Sequence, residues 1–201
     1  GAPSYRPARP QISCNAVSEA RARIVARFYQ ASSAPPPASR ILAKPLFDQA
    51  LDSYLANLCG YGGGSATGPG AIIIVDYARH SGQPRLFRVD LSTGDGLDAP
   101  MLVAHGVGSD PDDDGFATRF SNTPDSLASS LGAARGAEIY SGQNGRSLRL
   151  DGLDASNSMM RYRDIVVHSY APERRRYFNA SHLANRGGRP GISEGCFVVE
   201  P

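Results

Sequence analysis

The sequence lacks tryptophan and has only three cysteines among its 201 residues. No apolar run reaches the roughly 20 residues that a membrane-spanning helix needs. The formal net charge is +2, so composition gives no reason to expect nucleic-acid binding. Glycine (22) and proline (15) are frequent, as in β proteins rich in turns. We therefore expect a globular monomer, long enough to bury a hydrophobic core, with neither a nucleic-acid partner nor a membrane span.

The cysteines leave two interpretations open. Cys14, Cys59 and Cys196 form neither a CxxC pair nor the spacing of a metal site. In an exported protein, Cys14 and Cys59 could pair and leave Cys196 as a free thiol. In a cytosolic protein all three would be reduced, and two would be buried as small hydrophobic residues.

The first third of the chain is predicted to be helical after an extended tail. Residues 1–17 form the tail, and residues 18–59 form the helical segment. The first helix is predicted to begin at Ser18 as its N-cap, because apolar residues then recur with a period near 3.6. The proline-rich stretch 33–39 must end it. A second helix is predicted over residues 45–58, which completes a helical hairpin.

The pattern changes after a glycine-rich segment at residues 60–70, which is predicted to be a flexible linker. Beyond it, short apolar runs alternate with turn residues, as in antiparallel β structure. The predicted strands are 71–77, 86–91, 101–105, 138–140, 147–150, 164–169 and 196–199. The predicted fold class is mainly β, α+β overall, with a β domain at residues 71–201 behind the helical hairpin.

The segment Ser193-Glu194-Gly195-Cys196 has the features of a turn that presents a nucleophile. Glycine lets backbone N–H groups converge, so those of Gly195 and Cys196 could form an oxyanion hole. His168 ends a β-branched run and could serve as the base that a cysteine nucleophile needs. An isolated cysteine and histidine are more often a buried structural cysteine and an unrelated surface histidine.

Several motifs, in the same order along the chain, resemble one enzyme family. His168 followed by Ser193-Glu194-Gly195-Cys196 is similar to the YkuD-type L,D-transpeptidase signature, a histidine and then Ser/Thr-x-Gly-Cys. Further segments resemble the YkuD-like branch of murein L,D-transpeptidase catalytic domains, so that the likeness runs from about residue 101 to 199. These segments are 103–109, 120–122, 129–132 and 140–153. The wider family has histidine in place of Glu194, so no role is carried over to that position.

The resemblance implies a peptidoglycan L,D-transpeptidase with a YkuD-like antiparallel β-sandwich or barrel. Cys196 would be the nucleophile and His168 the base, with Ser193 orienting His168 through its carbonyl and Gly195 shaping the turn. The thiolate would attack an L-centre carbonyl of a stem peptide and form a thioester. An amine, usually that of meso-diaminopimelate, would resolve it and give 3-3 or 1-3 links. No cofactor is expected.

Candidate substrate contacts surround this pair in the matched region. They are His105, Ser121, Asn122, Ser129, Ser130, Tyr140 and Arg189. The alternative for His105 is a strand-end histidine satisfied by backbone groups. Arg161 and Arg163 are either further contacts or, as the favoured alternative, ion-pair partners of Asp151 or Asp154.

No metal site is expected. Residues 110–115 match the first half of a calcium loop, but Ser121 stands where that loop needs a bidentate glutamate. The four histidines lack the paired spacing of a zinc site.

Two rival functions remain open. Water could resolve the same thioester, which would make the protein an L,D-carboxypeptidase or endopeptidase. A non-catalytic wall-binding domain is the other, although the intact Cys196 and His168 argue against it. The resemblance implies export to the periplasm, with a signal peptide outside the given chain, and this favours the bridge between Cys14 and Cys59. Related domains continue further than Pro201, so a truncated C-terminus is expected.

Overall fold

The computed structural model describes residues 11–29, 42–60, 66–97, 99–169 and 180–200, with the side chains of 180–182 left out. The chain divides into two compact units. The first comprises residues 1–74 and 87–99, and the second comprises residues 75–86 and 100–201. This division differs from the predicted boundary at residue 71, because apolar side chains within residues 72–74 and 87–91 share a core with the helices.

Two helices form the hairpin of the first unit. Helix α1 spans Cys14–Tyr29, and helix α2 spans Lys44–Tyr54 and continues into a π-helical turn at Leu55–Cys59. Helix α1 begins four residues before the predicted Ser18, within the segment predicted to be an extended tail. Its buried stripe already includes Cys14 and Val17, so packing extends the helix toward the N-terminus.

The N-terminal end of helix α1 is tied down twice. Cys14 is disulfide-bonded to Cys59, which lies 45 residues further along the chain. Just before it, strand β1 (Ile12–Ser13) pairs antiparallel with strand β2 (Thr67–Gly68). Thr67–Gly68 lie within the predicted flexible linker and are a strand instead. The part of that linker at residues 61–65 lies outside the described residues.

The core of the first unit is apolar and well packed. The rings of Phe28 and Phe47 stack with their centroids 4.3 Å apart. A two-stranded sheet, β3 (Ala71–Val75) with β4 (Leu86–Asp90), supplies further apolar side chains to the same cluster. Phe47 is fully buried.

The second unit is built on a five-stranded sheet. Its strands are β5 (Val103–Ala104), β6 (Ala134–Gly142), β7 (Gly145–Gly152), β8 (Val166–His168) and β9 (Phe197–Val199). Their spatial order is β5-β9-β8-β7-β6, and all neighbours are antiparallel except β8 and β9. A short helix, α3 (Ala180–Asn185), lies between β8 and β9 in sequence. The predicted class, mainly β with N-terminal helices, is confirmed.

The register of this sheet separates its two faces. Leu148 pairs with Val167, and Val167 pairs with Phe197; all three pack with the apolar cluster of this unit. Side chains alternate along a strand, so the neighbouring pair, Ser147 and His168, lies on the opposite face. That second face carries the candidate site.

Candidate active site

Ser193 holds the turn that ends at Cys196. Its hydroxyl donates to the carbonyl oxygen of Cys196 (2.8 Å) and accepts the N–H of Gly195 (3.1 Å). Its backbone N–H donates to the carbonyl of His105 (2.8 Å), and its own carbonyl accepts the N–H of Val107 (2.7 Å). This carbonyl therefore anchors the turn through a backbone bond, and its predicted contact with His168 stays a prediction.

Gly195 is required by its backbone and by its surroundings. Its φ is +117°, and an added Cβ would lie 2.7 Å from Cδ1 of Ile165 and 2.9 Å from the carbonyl oxygen of Ala128. The N–H of Gly195 is already bonded to the hydroxyl of Ser193. Of the two predicted oxyanion donors, Gly195 and Cys196, only the N–H of Cys196 is therefore left as a candidate.

Cys196 carries a free, half-buried thiol. Its Sγ lies 3.5 Å from the carbonyl oxygen of Asp164, to which it donates. Burial raises the pKa of the thiol, while a backbone hydrogen bond from Val166 opposes this shift. The resting group is thus a thiol rather than a thiolate at neutral pH.

His168 ends strand β8 and is buried. Its Nδ1 lies 3.0 Å from the carbonyl of Ser169. Since a carbonyl can only accept, Nδ1 carries the proton of the neutral ring and Nε2 is the unprotonated nitrogen. Burial lowers the pKa of His168, and the bond to Ser169 only partly opposes this. The ring is therefore a neutral base.

The sheet brings His168 and Cys196 to the same face. His168 pairs with Val198, and Cys196 precedes Phe197 in strand β9, two positions before Val198. His168 and Cys196 therefore lie on neighbouring segments of the sheet and are offset by two residues along the strand direction. Standard strand spacing puts their Cα atoms roughly 8 Å from each other. Two side chains pointing the same way at that separation can approach each other.

A cleft of about 640 Å³ opens beside the thiol. Tyr140 and Arg149 lie side by side in its wall, with the guanidinium 4.5 Å from the ring centroid. Its lining residues are Pro124, Asp125, Leu127, Tyr140, Gly142, Gln143, Asn144, Ser147, Arg149, Tyr162, Arg163, Asp164, Val166, Glu194 and Cys196. Of the seven predicted substrate contacts, Tyr140 is in this lining, and so is Arg163, for which a substrate contact was the less favoured interpretation. The alternation of strand β7 could have revealed Arg149, because it shares the face of Ser147.

His105 lies elsewhere, which corrects its prediction as a substrate contact. It follows strand β5 on the face opposite His168, because Ala104 and His168 both pair with Val198. It is fully buried, with Nδ1 2.9 Å from Nη2 of Arg85 and Nε2 3.0 Å from Oδ2 of Asp110. Burial lowers the pKa of His105. Its partners are side chains, so the backbone alternative was also incomplete.

The predicted serine contacts are structural as well. Ser129 is fully buried and its Oγ accepts the N–H of Gly106 (3.0 Å). Ser130 donates to the carbonyl of Ser121 (2.8 Å), whose own hydroxyl accepts the N–H of Thr123 (3.1 Å). These bonds hold the segment of residues 121–130 in place. The three serines therefore have a structural role here in place of the predicted substrate contact.

Asn122 and Arg189 also serve the protein itself. The amide of Asn122 donates to Ala155 and Ser158 and accepts the N–H of Met159. Arg189 donates to the carbonyl of Asp113 (2.6 Å) and lies 3.2 Å from its carboxylate. Neither lines the cleft with Cys196.

The aspartate loop considered for calcium uses Asp110 internally. Its carboxylate accepts the N–H groups of Asp114 (3.1 Å) and Gly115 (2.9 Å) and bonds His105. Within the described ranges, no group of three or more histidine, cysteine or acidic side chains is arranged to hold a metal ion.

Comparison with known proteins assigns the chain to a family through one match. No curated protein and no solved structure matches the chain. In the described part, no helix is both long and apolar enough to span a bilayer. The family model YkuD_2, described as L,D-transpeptidase catalytic domain, matches residues 43–201. That match covers more than half of the sequence, including Cys196 and His168. The chain therefore belongs to the L,D-transpeptidase catalytic domain family, whose general function is peptidoglycan transpeptidation.

Proposed function

We propose that Cys196 is the nucleophile of a peptidoglycan L,D-transpeptidase and that His168 is its base. One observation carries the assignment. The free thiol of Cys196 ends the Ser-x-Gly-Cys turn, lines a cleft, and shares a sheet face with His168. A nucleophile, a base and a cleft are the minimum that acyl transfer needs.

The reaction begins from a neutral pair. As Sγ of Cys196 attacks the L-centre carbonyl of a donor stem, Nε2 of His168 takes the thiol proton. The carbonyl oxygen becomes an oxyanion, for which the N–H of Cys196 is the nearest candidate donor. His168 then returns the proton to the departing amine of the D-residue, and a thioester remains on Cys196.

An acceptor amine completes the cycle. It attacks the thioester while His168 takes its proton, and the thiol leaves with that proton as the new amide forms. The cleft carries both signs of charge, because its lining includes Arg149 and Arg163 as well as Asp125, Asp164 and Glu194. This suits stems with meso-diaminopimelate, which bears an amine and carboxylates. Such an acceptor gives 3-3 links, or 1-3 links if the first position is the donor.

A periplasmic location follows from the same proposal. Peptidoglycan stems lie outside the cytoplasm, and the disulfide between Cys14 and Cys59 is typical of oxidising compartments. We propose that the protein acts there as a monomer.

The test is incubation with purified disaccharide-tetrapeptides, followed by mass spectrometry of the products. We expect cross-linked dimers from the wild type and none from Cys196→Ala, and fragmentation will name the donor position. His168→Ala should lose at least about 100-fold in rate. His80→Ala, at a histidine that bonds Asp114 and Gly82, controls for general damage. Shortened monomers without dimers would reassign the protein to the hydrolases. Dimers formed by Cys196→Ala would refute the nucleophile.

A further inference from the structure

We propose that Arg163 supplies a fixed positive charge that stabilises the anionic form of Cys196. This rests on the proposed role of Cys196 as the nucleophile. In this proposal Arg163 acts on Cys196 through its charge, whereas His168 is the base that takes the proton.

Four hydrogen bonds hold the guanidinium in place. Nη1 donates to the carbonyl of Ser121 (2.8 Å) and to Oγ of Ser130 (2.8 Å). Nη2 donates to Oγ of Ser126 (3.1 Å) and to the carbonyl of Ala128 (2.7 Å). Every one of these acceptors is neutral. The bonds therefore fix the position of the charge without cancelling it.

The arginines nearby are paired differently. Arg149 binds the carboxylate of Asp164 (2.8 Å), and Arg161 binds those of Asp151 and Glu138. For Arg163, no carboxylate oxygen of a described residue lies within the 4.0 Å of an ion pair. The predicted ion pair of Arg163 with Asp151 or Asp154 is therefore wrong. The carboxylate of Asp151 binds Arg161 instead. The carboxylate of Asp154 accepts the N–H of Ala133.

Arg163 lies in the wall of the cleft that Cys196 lines. The thiol donates to the carbonyl of Asp164, the next residue in the chain. A half-buried cation without a counter-charge is unfavourable in the resting protein. Its counter-charge would arise when Cys196 loses its proton, or when the tetrahedral oxyanion forms beside it.

The groups around the thiol make the sign of this effect clear. Burial raises the pKa of Cys196 most, and a backbone hydrogen bond from Val166 opposes it. The charges of Asp164 and Glu194 raise this pKa further, whereas the charge of Arg163 lowers it.

Tyr77 also interacts with this thiol, and burial raises the pKa of Tyr77 to about 12, so its phenol stays neutral. The cleft lining also holds the carboxylate of Asp125 and the guanidinium of Arg149, which is paired with Asp164. Among the described lining residues, Arg163 is thus the cation that has no carboxylate partner and favours the thiolate.

A purely structural role is the alternative. The four bonds of Arg163 also fasten residues 121–130, and the carbonyl of Ala128 lies against Gly195. Two substitutions separate the roles. Arg163→Lys keeps the charge but loses the forked set of bonds, whereas Arg163→Gln keeps a polar side chain and loses the charge.

The experiment measures alkylation of Cys196 by neutral iodoacetamide between pH 6 and 10.5, with intact mass as the readout. Cys14 and Cys59 are bonded to each other, so a single thiol reacts. We expect Arg163→Gln to raise the apparent pKa of alkylation by about one unit, or about tenfold less thiolate at a given pH. Arg163→Lys should stay close to the wild type, and so should Arg161→Gln, an exposed and paired arginine two residues away.

An unchanged profile in Arg163→Gln would overturn the proposal, as would a profile of Arg163→Lys shifted as far as that of Arg163→Gln. If circular dichroism shows that the glutamine variant is unfolded, the lysine variant decides alone: the wild-type profile supports the charge and a shifted profile refutes it. Alkylation needs no stem peptide. A failed cross-linking assay with the expected alkylation profiles would therefore count against the proposed function and not against the charge of Arg163.

Discussion

The two units of the molecule bury different chemistry. In the first unit the described buried side chains are apolar, apart from the phenol of Tyr54, and a disulfide joins Cys14 to Cys59. In the second unit lie all the described buried polar and charged side chains. They are Asp76, Ser81, Arg85, His105, Ser109, Asp110, Ser129, Ser130, Ser147, Asn157 and His168.

This difference separates packing from positioning. Apolar contacts tolerate small shifts, since dispersion and burial depend weakly on angle. Hydrogen bonds require defined distances and directions, and a buried partner left unpaired is costly. The turn that ends at Cys196 is accordingly held by Ser193, His105 and Val107 through short polar bonds. We infer that the second unit gives up apolar burial for a fixed site.

The largest expected effect is the loss of Asp110. Asp110→Ala removes the acceptor of His105 and of two backbone N–H groups, and it leaves these three donors without the buried carboxylate. We expect the free energy of unfolding to fall by about 4 kcal/mol, measured by urea denaturation with circular dichroism. The matched control is Asp112→Asn in the same loop, where the side chain is exposed and the change should be about 0.5 kcal/mol or less. If Asp110→Ala and Asp112→Asn lowered the free energy of unfolding equally, the buried polar groups would not hold the second unit as described.

The next effect concerns the disulfide of the first unit. Replacing both Cys14 and Cys59 by alanine releases a loop of 45 residues and should lower the free energy of unfolding by about 3 kcal/mol. Addition of a reductant should produce the same loss in the wild type and none in the double variant. A wild type indifferent to the reductant would show that the bridge contributes little.

A matched pair of substitutions compares the units directly. Ser129→Ala removes one oxygen and leaves the buried N–H of Gly106 unpaired, which should cost about 2 kcal/mol. Phe47→Leu removes several carbon atoms and the stacking on Phe28, and should cost about 1.5 kcal/mol. Urea denaturation of both variants measures the difference. A serine variant as stable as the wild type would contradict the account of polar positioning.

The smallest effect is on the pH dependence of stability. Burial lowers the pKa of both His105 and His168, so the unfolded chain binds more protons than the folded one as pH falls below about 6.5. The stability that these groups contribute is fully present above that pH and is lost progressively below it. Melting temperatures at pH 7.5 and 5.5 should show the decline. His105→Gln should flatten this decline. A decline unchanged in His105→Gln would assign it to other groups.

Local signals in the sequence were sufficient for much of this fold. The β-branched runs predicted most strands, and the turn at Gly142–Gly145 predicted the hairpin of β6 and β7. The start of helix α1 was missed because Cys14 and Val17 become core residues only once the helix packs.

The part of the candidate site that lies within one short sequence motif could be proposed from the sequence. Cys196 and Gly195 follow from four consecutive residues, and the register of β8 against β9 puts His168 on the face of Cys196. His105 was misassigned because its face depends on strand pairing. The partners of Arg163 were missed because they lie 33 to 42 residues away in the chain, beyond the reach of any local pattern.

The most direct test of the proposed nucleophile is intact-protein mass spectrometry during incubation with a tetrapeptide donor that has no acceptor amine. We predict an adduct equal to the donor without its released D-residue, mapped by peptide digestion to Cys196 and absent from Cys196→Ala. Its formation should slow at least about 100-fold in His168→Ala. An adduct on another residue, or cross-linking that proceeds without any thioester at Cys196, would contradict the mechanism.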